Sequence, residues 1–152
     1  MKRRDILTQT FKNKNQLNKS MSKNVLVRIG VLFVDTKKQQ ILLHKKKEED
    51  MWSPFIHELE FGEEVSQCVK QSLFTTIGFK VSSDTEVSFL GYDELLGKEH
   101  VIILWHSVKT SVKLYQSLDG YEAKWFSLRL LPVLREEVRR TIEQSKALMI
   151  MH

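Results

Sequence analysis

The ten residues HVIILWHSVK (100–109) constrain this chain more than any other stretch. An almost unbroken apolar run of strand-forming residues does not alternate between core and water, so it belongs in the middle of a sheet. The rest of the chain supplies what such a strand needs. NVLVRIGVLFVD (24–35) reads as a long strand, with a bend expected at Gly30. The polar turn TKKQQ joins it to ILLHKK (41–46), and the pair makes a hairpin. KEEDMWSPF is a loop punctuated by Pro54. FKVSSDTEVSFLGYDE holds one or two further strands, and a turn at Asp119–Gly120 leads to a short strand through Lys124, Trp125 and Phe126.

Two helices complete the pattern. Between Glu64 and Ile77 the apolar residues Val65, Cys68, Val69, Leu73 and Ile77 fall at helical spacing, and Gly78 stops the helix. From Leu130 to Ser145, Leu131, Leu134, Val138 and Ile142 predict a closing amphipathic helix with Pro132 in its first turn. Alternating strands and helices make this an α/β protein. Its 152 residues, 41% hydrophobic, suffice for one domain with a real core.

Charge divides the chain. Residues 1–23 carry seven basic side chains against Asp5 alone, a net +6, so the remainder holds −1 of the total +5. The expected organisation is a basic, disordered tail over 1–23 and a folded domain over 24–152. The tail is either a solvated leader or an electrostatic arm for nucleic acid or another acidic partner, and translation from Met21 would remove most of it. The domain lacks the clustered Lys and Arg of a nucleic-acid surface. Cys68 is the single cysteine, which excludes an intrachain disulfide and a multi-cysteine zinc site. No apolar run is long enough to span a bilayer and the first residues lack a secretory core, so a cytoplasmic protein is expected.

The stretch HELEFGEEVSQCVKQSLFTTIGF (57–79) opens with Glu58, Glu60, Glu63 and Glu64 and then continues as a helix without acids. It resembles the box of the Nudix (MutT-like) family, G-x5-E-x7-R-E-U-x-E-E-x-G-U with U aliphatic. Glu63 falls on the first glutamate, Leu73 on the aliphatic position, Gly78 on the second glycine and Phe79 on the last apolar place. Trp52 with Pro54 to His57 is similar to the preceding W…PGG element, Leu59 to Glu63 to the VExGE run, and Glu122 to Phe126 to a later E-x-x-W-F run. The resemblance spans about Val25 to Ser145 and implies an α/β/α sandwich with a curved mixed sheet between helices.

In that resemblance the box is degenerate. His57 replaces the first glycine, Gln71-Ser72 replace Arg-Glu, and Thr75-Thr76 replace Glu-Glu. The helical glutamates of catalytic relatives bind magnesium or manganese against a diphosphate. Positions 72, 75 and 76 share one helix face, so three glutamates there would aim at one pocket. Serine and threonine are weak, neutral ligands and do not replace that charge. Gln71 also lacks the cation that orients neighbouring carboxylates.

Three readings follow. The first is a Nudix-fold protein that has lost metal-dependent hydrolysis and binds a nucleotide-like ligand or a partner; it expects no cofactor. The second is a divergent hydrolase of a nucleoside diphosphate linked to a moiety X, using Mg or Mn held by Glu60, Glu63 and a distal acid such as Glu94, Glu99 or Glu122. The third is an interaction module using its surface, for instance as a homodimer. The expected ligand pocket is Trp52, Phe55, His57, Glu58 and Glu122, with Trp52 and Phe55 offered for stacking. Glu63 and Glu64 also suit the positive end of the helix dipole without any ion. Cys68 reads as a small buried hydrophobe, and His44, His100 and His106 as satisfied or surface histidines.

Overall fold

The computed structural model describes residues 24–77, 85–110 and 120–150, with the side chains of 72–77 and 150 left undescribed. Residues 1–23, Gly78, Phe79 and Asp119, on which some of the expectations above fall, lie outside the described residues.

The first strand, β1 (Leu26–Asp35), alternates Ile29, Val31 and Phe33 on one face with Leu32 and Val34 on the other, and all five are buried. A strand buried on both faces needs a layer on each side. It also needs neighbours on both edges. β5 (His100–Lys109) runs parallel to it along one edge over nine paired positions. The other edge is shared: β2 (Gln40–Lys46) pairs antiparallel with Phe33 to Asp35, and β3 (Phe55–Glu58) with Arg28 to Val31. β4 (Val87–Leu96) and β6 (Tyr121–Ser127) take the two ends of the order β4-β5-β1-β2-β6, β4 with a bulge between Phe89 and Gly91. β5 is therefore interior, as its apolar run required. The region 80–95 contributes one strand, β4, among the described residues.

Helix α1 (Val65–Ile77) covers the first face. Cys68 and Val69 are buried there with Ile29, Val31, Phe33, Leu42, Phe55 and Val108, and Val65 packs at the margin. Helix α2 (Glu136–Ile150) covers the second, setting Val138, Ile142 and Met149 against Leu32, Val34, Ile41, Leu43, Ile103 and Trp105. The result is a mixed sheet between two helices. No helix among the described residues is long and apolar enough to cross a membrane.

Three expectations change. Gly30 does not bend β1, whose pairing with β3 and β5 runs through it unbroken. A Cβ at Gly30 would lie 2.4 Å from the Trp105 ring, so the glycine is there to let the indole lie on the strand. Pro132 is not in the closing helix. Trp52 N–H donates to Val133 O at 2.9 Å, Leu134 forms a bridge with Trp52, and the Arg139 guanidinium donates to Pro132 O at 2.6 Å. Those contacts hold 132–134 outside α2, whose first helical bond runs from Arg139 N–H to Arg135 O. The residues of β3 form a strand where the sequence reads as loop, because β1 leaves an edge open where β2 diverges.

One polar group sits inside the α2 layer. Asp93 on β4 is buried and accepts from Trp105 Nε1–H at 2.8 Å and from the Thr141 hydroxyl at 2.6 Å, which ties β4, β5 and α2 to one carboxylate. A buried carboxylate stripped of a donor is costly. We therefore expect Thr141→Val to destabilise the fold by about 1–3 kcal/mol in urea unfolding. Gly30→Ala should cost a similar amount, about 1–3 kcal/mol by overpacking, and less when combined with Trp105→Leu, which removes the clash.

Candidate functional site

The acidic stretch is built as a strand end, a tight turn and a helix start. Gly62 takes a left-handed φ of 83° in the turn, where Glu63 N–H donates to Glu60 O at 3.1 Å. The Glu63 carboxylate folds back to accept Glu60 N–H at 3.3 Å. It also accepts from the Cys68 thiol, whose pKa is pushed up to about 11, first by burial and then by the charge of Glu63. Glu64 O accepts the N–H of Cys68, so Glu63 and Glu64 stand at the positive end of α1 as expected. Cys68 is buried and protonated, a packing residue.

The other carboxylates are spread apart. Glu58 pairs with Arg28 at 3.8 Å, both on the α2 face of the sheet. Glu122 pairs with Lys45 at 3.7 Å, also on the α2 face. Glu94 lies 3.6 Å from His100 on the β4–β5 pair, and Glu99 is in the turn between those strands. Leu59 N–H bonds to Val27 O, Val27 pairs with Ile102, and Ile102 with Glu94. Three strand spacings thus separate the end of β3 from Glu94, about 14 Å between backbones. Among the described residues no group of three His, Cys, Asp or Glu side chains is placed to hold a metal ion. Gln71 is exposed on α1; Ser72, Thr75 and Thr76 lie on its last turns, their side chains outside the described residues. Among the described residues, the carboxylates do not converge on one point as a magnesium or manganese site requires.

The expected pocket is divided by the sheet itself. Trp52 belongs to the α2 face, with its ring 4.7 Å from Phe126 and the ammonium groups of Lys45 and Lys124 at 5.3 and 5.9 Å. Glu58 and Glu122 share that face. Phe55 and His57 lie on the opposite, α1 face. Phe55 is also fully buried, edge-on to Phe33 at 5.3 Å, and offers no surface for stacking. The five residues therefore form no single pocket, because strand alternation sends neighbours in sequence to opposite sides.

What the α1 face gathers is different. His44 stacks on Phe55 at 4.5 Å and lies 6.3 Å from Tyr121, with His57 close enough to oppose its protonation. Lys46 follows on the same face of β2, opposite Tyr121. Burial is the main cause that lowers the His44 pKa to about 4; the Ser53 backbone acts in the opposite sense, and His57 adds to the lowering. Its Nδ1 is buried without a hydrogen-bond partner among the described residues. His106 is also held below its ordinary value by burial, with Nδ1 3.0 Å from Leu104 O. The sequence signal for His44 is its alternation with Leu42 and Lys46, which shows only when the strand is read as a whole.

Solved structures place this architecture. A MutT from work on Aliivibrio salmonicida and Vibrio cholerae matches with a TM-score of 0.67 at 15% identity, covering 83% of this chain and 100% of the other. A MutT NUDIX hydrolase from Burkholderia pseudomallei matches at 0.65 and 21% identity, covering 80% and 98%. The E. coli dihydroneopterin triphosphate pyrophosphohydrolase matches at 0.63 and 14% identity, covering 78% and 92%. The chain has the Nudix fold. No protein-family model and no curated protein matches its sequence.

The neutral His44 makes stability depend on pH. The unfolded chain binds its proton near pH 6.5 and the folded chain near 4, so between these values the unfolded state holds more protons. Stability should be level above about pH 6.5 and fall through the window toward 4, by up to about 3 kcal/mol from this group. His44→Gln should flatten that part of the profile in urea unfolding at stepped pH. The native Cys68 thiol should resist Ellman's reagent at pH 8 and react at once in denaturant.

Proposed function

We propose that this protein binds a nucleotide-like ligand on the Nudix scaffold without cleaving it. One observation carries the reading. The helix that follows the acidic turn has Gln71, Ser72, Thr75 and Thr76 where hydrolysis needs an arginine and three glutamates. Diphosphate cleavage of this kind draws its nucleophile and its charge neutralisation from divalent ions. Those ions need several anionic oxygens converging on one point. Three of the remaining acids are engaged elsewhere: Glu63 in its turn and with Cys68, Glu58 with Arg28, Glu122 with Lys45. Glu94, the distal acid on the α1 face, stands three strands from the turn. Divalent metal has no part in this reading, and neither does nucleic acid outside the basic tail.

The chain keeps a reason to hold a small molecule. α1 lies over β1 and β3, and the part of the same face on β2 and β6 carries His44, Tyr121, Ala123 and Trp125, all partly exposed. Imidazole, phenol and indole groups beside a lysine suit a base with a phosphate attached.

The test is a thermal-shift and phosphate-release panel of NTPs, dinucleoside polyphosphates and ADP-ribose, run in EDTA and in Mg²⁺ or Mn²⁺. Saturation at 100-fold over Kd should add about 2.7 kcal/mol of stability, about 5–10 °C in Tm for a chain of this size, and should do so in EDTA. Phosphate release should stay at background. Metal-dependent turnover that Glu63→Gln abolishes would overturn the reading. A panel with neither turnover nor stabilisation would move the function to the protein's surface.

A further inference from the structure

A buried ring nitrogen without a hydrogen bond is costly, and an apolar side chain at position 44 would pack on Phe55 at no such cost. His44 nevertheless holds that place, with Nδ1 sealed. The groups that face it explain why an imidazole is useful there. From β3 they are Phe55 and His57; from β6, Tyr121 and Ala123; from its own strand, Leu42 and Lys46; and from the loop before β3, the Ser53 backbone. Among the described residues, the α1 face of β2, β3 and β6 thus holds two imidazoles, an ammonium and a phenol, and no carboxylate. The acids of these strands, Glu58 and Glu122, are on the far side, where they meet Arg28 and Lys45. Glu63, the acid that enters the α1 layer, is bound by Cys68 and Glu60 N–H.

We propose that this face is an anion subsite in which the His44–His57 pair takes up a proton as a diphosphate-bearing ligand binds. The inference rests on the non-hydrolytic nucleotide reading and adds how the charge of the ligand is met. In the free protein burial keeps His44 neutral, and the neighbouring His57 also opposes its protonation. An anion arriving on the α1 face of the paired strands β2 and β6 reverses that balance, because the charged imidazole then gains an anionic neighbour on a partly desolvated surface. The diphosphate is neutralised by protein groups that charge on demand, where hydrolases of this fold would use metal. No bond of the ligand is broken. One proton moves from solvent to an imidazole nitrogen.

Linkage fixes the sign. A proton taken up on binding makes affinity rise as pH falls, at most about tenfold per pH unit for each proton. ADP-ribose is the probe, because its diphosphate bridge has no proton to gain near neutrality, unlike a terminal phosphate with a second pKa of about 6. Calorimetric titration of ADP-ribose into the full chain in EDTA at pH 7, repeated in Pipes and Tris, reads the protons exchanged from the buffer dependence of the heat. We expect net uptake, an affinity that climbs from pH 8 to pH 6, and little binding of adenosine. His44→Gln and His57→Gln, each checked for native circular dichroism, should reduce the uptake, whereas Lys46→Ala should lower affinity several-fold and leave the uptake in place. ADP-ribose binding with no proton exchange and a flat pH profile would overturn the inference and leave nucleotide binding standing. ADP-ribose silence alongside binding of another nucleotide would overturn it too. Silence from the whole panel would remove both. The wild-type pH series remains decisive even if the histidine variants fail to fold.

Discussion

The double-sided burial of β1 is the constraint on which this molecule is built. Ile29, Val31 and Phe33 demand one helix, Leu32 and Val34 the other, and neither layer can be removed without exposing half of the core. Gly30 adds a condition that only one residue type meets, since the Trp105 ring occupies the space of its side chain. The indole in turn donates to Asp93, and Asp93 accepts from Thr141 on α2. A single contact between glycine and tryptophan is thereby coupled to the docking of the closing helix.

The same sheet governs what chemistry the protein can assemble. It is a partition as much as a scaffold. Alternation assigns Trp52, Glu58, Lys45 and Glu122 to the α2 side and His44, Lys46, Phe55 and His57 to the α1 side. Glu58 and Glu122 face their own cations on one side, leaving the other face of β2, β3 and β6 with two imidazoles and a lysine. The acidic turn before α1 folds the Glu63 carboxylate inward, to a backbone amide and a thiol. The acidic turn and the residues after it form a packed helix start, with Cys68 and Val69 in the core.

Much of the fold is legible in the chain, and less of the candidate site. The strands around Leu32, Leu42 and Ile103 and the stripe Val65–Cys68–Val69 can be read because burial periodicity is written in consecutive residues. The pairing of Glu63 with Cys68 cannot, although both residues stand out, because it depends on a turn closed by Gly62. Phe55 has the chemistry of a stacking surface and is core; a β3 of four residues is too short to show its period. Pro132 suggests too early a start for α2, since the contacts of Val133 and Leu134 with Trp52 are made across about eighty residues of chain.

What the sequence alone determined is an inventory and a rhythm: an apolar interior strand, two amphipathic helices, and a helix bearing Gln71, Ser72, Thr75 and Thr76 without acids. These are local properties, set by the residues themselves and their spacing. Tertiary structure decided which side of the sheet each charged or aromatic group occupies, and so which groups meet. That depends on register between strands distant in sequence, where a shift of one residue sends every side chain to the opposite face. His44, unremarkable in the chain, acquires its neutral position with a buried Nδ1 only when β2, β3 and β6 are brought together.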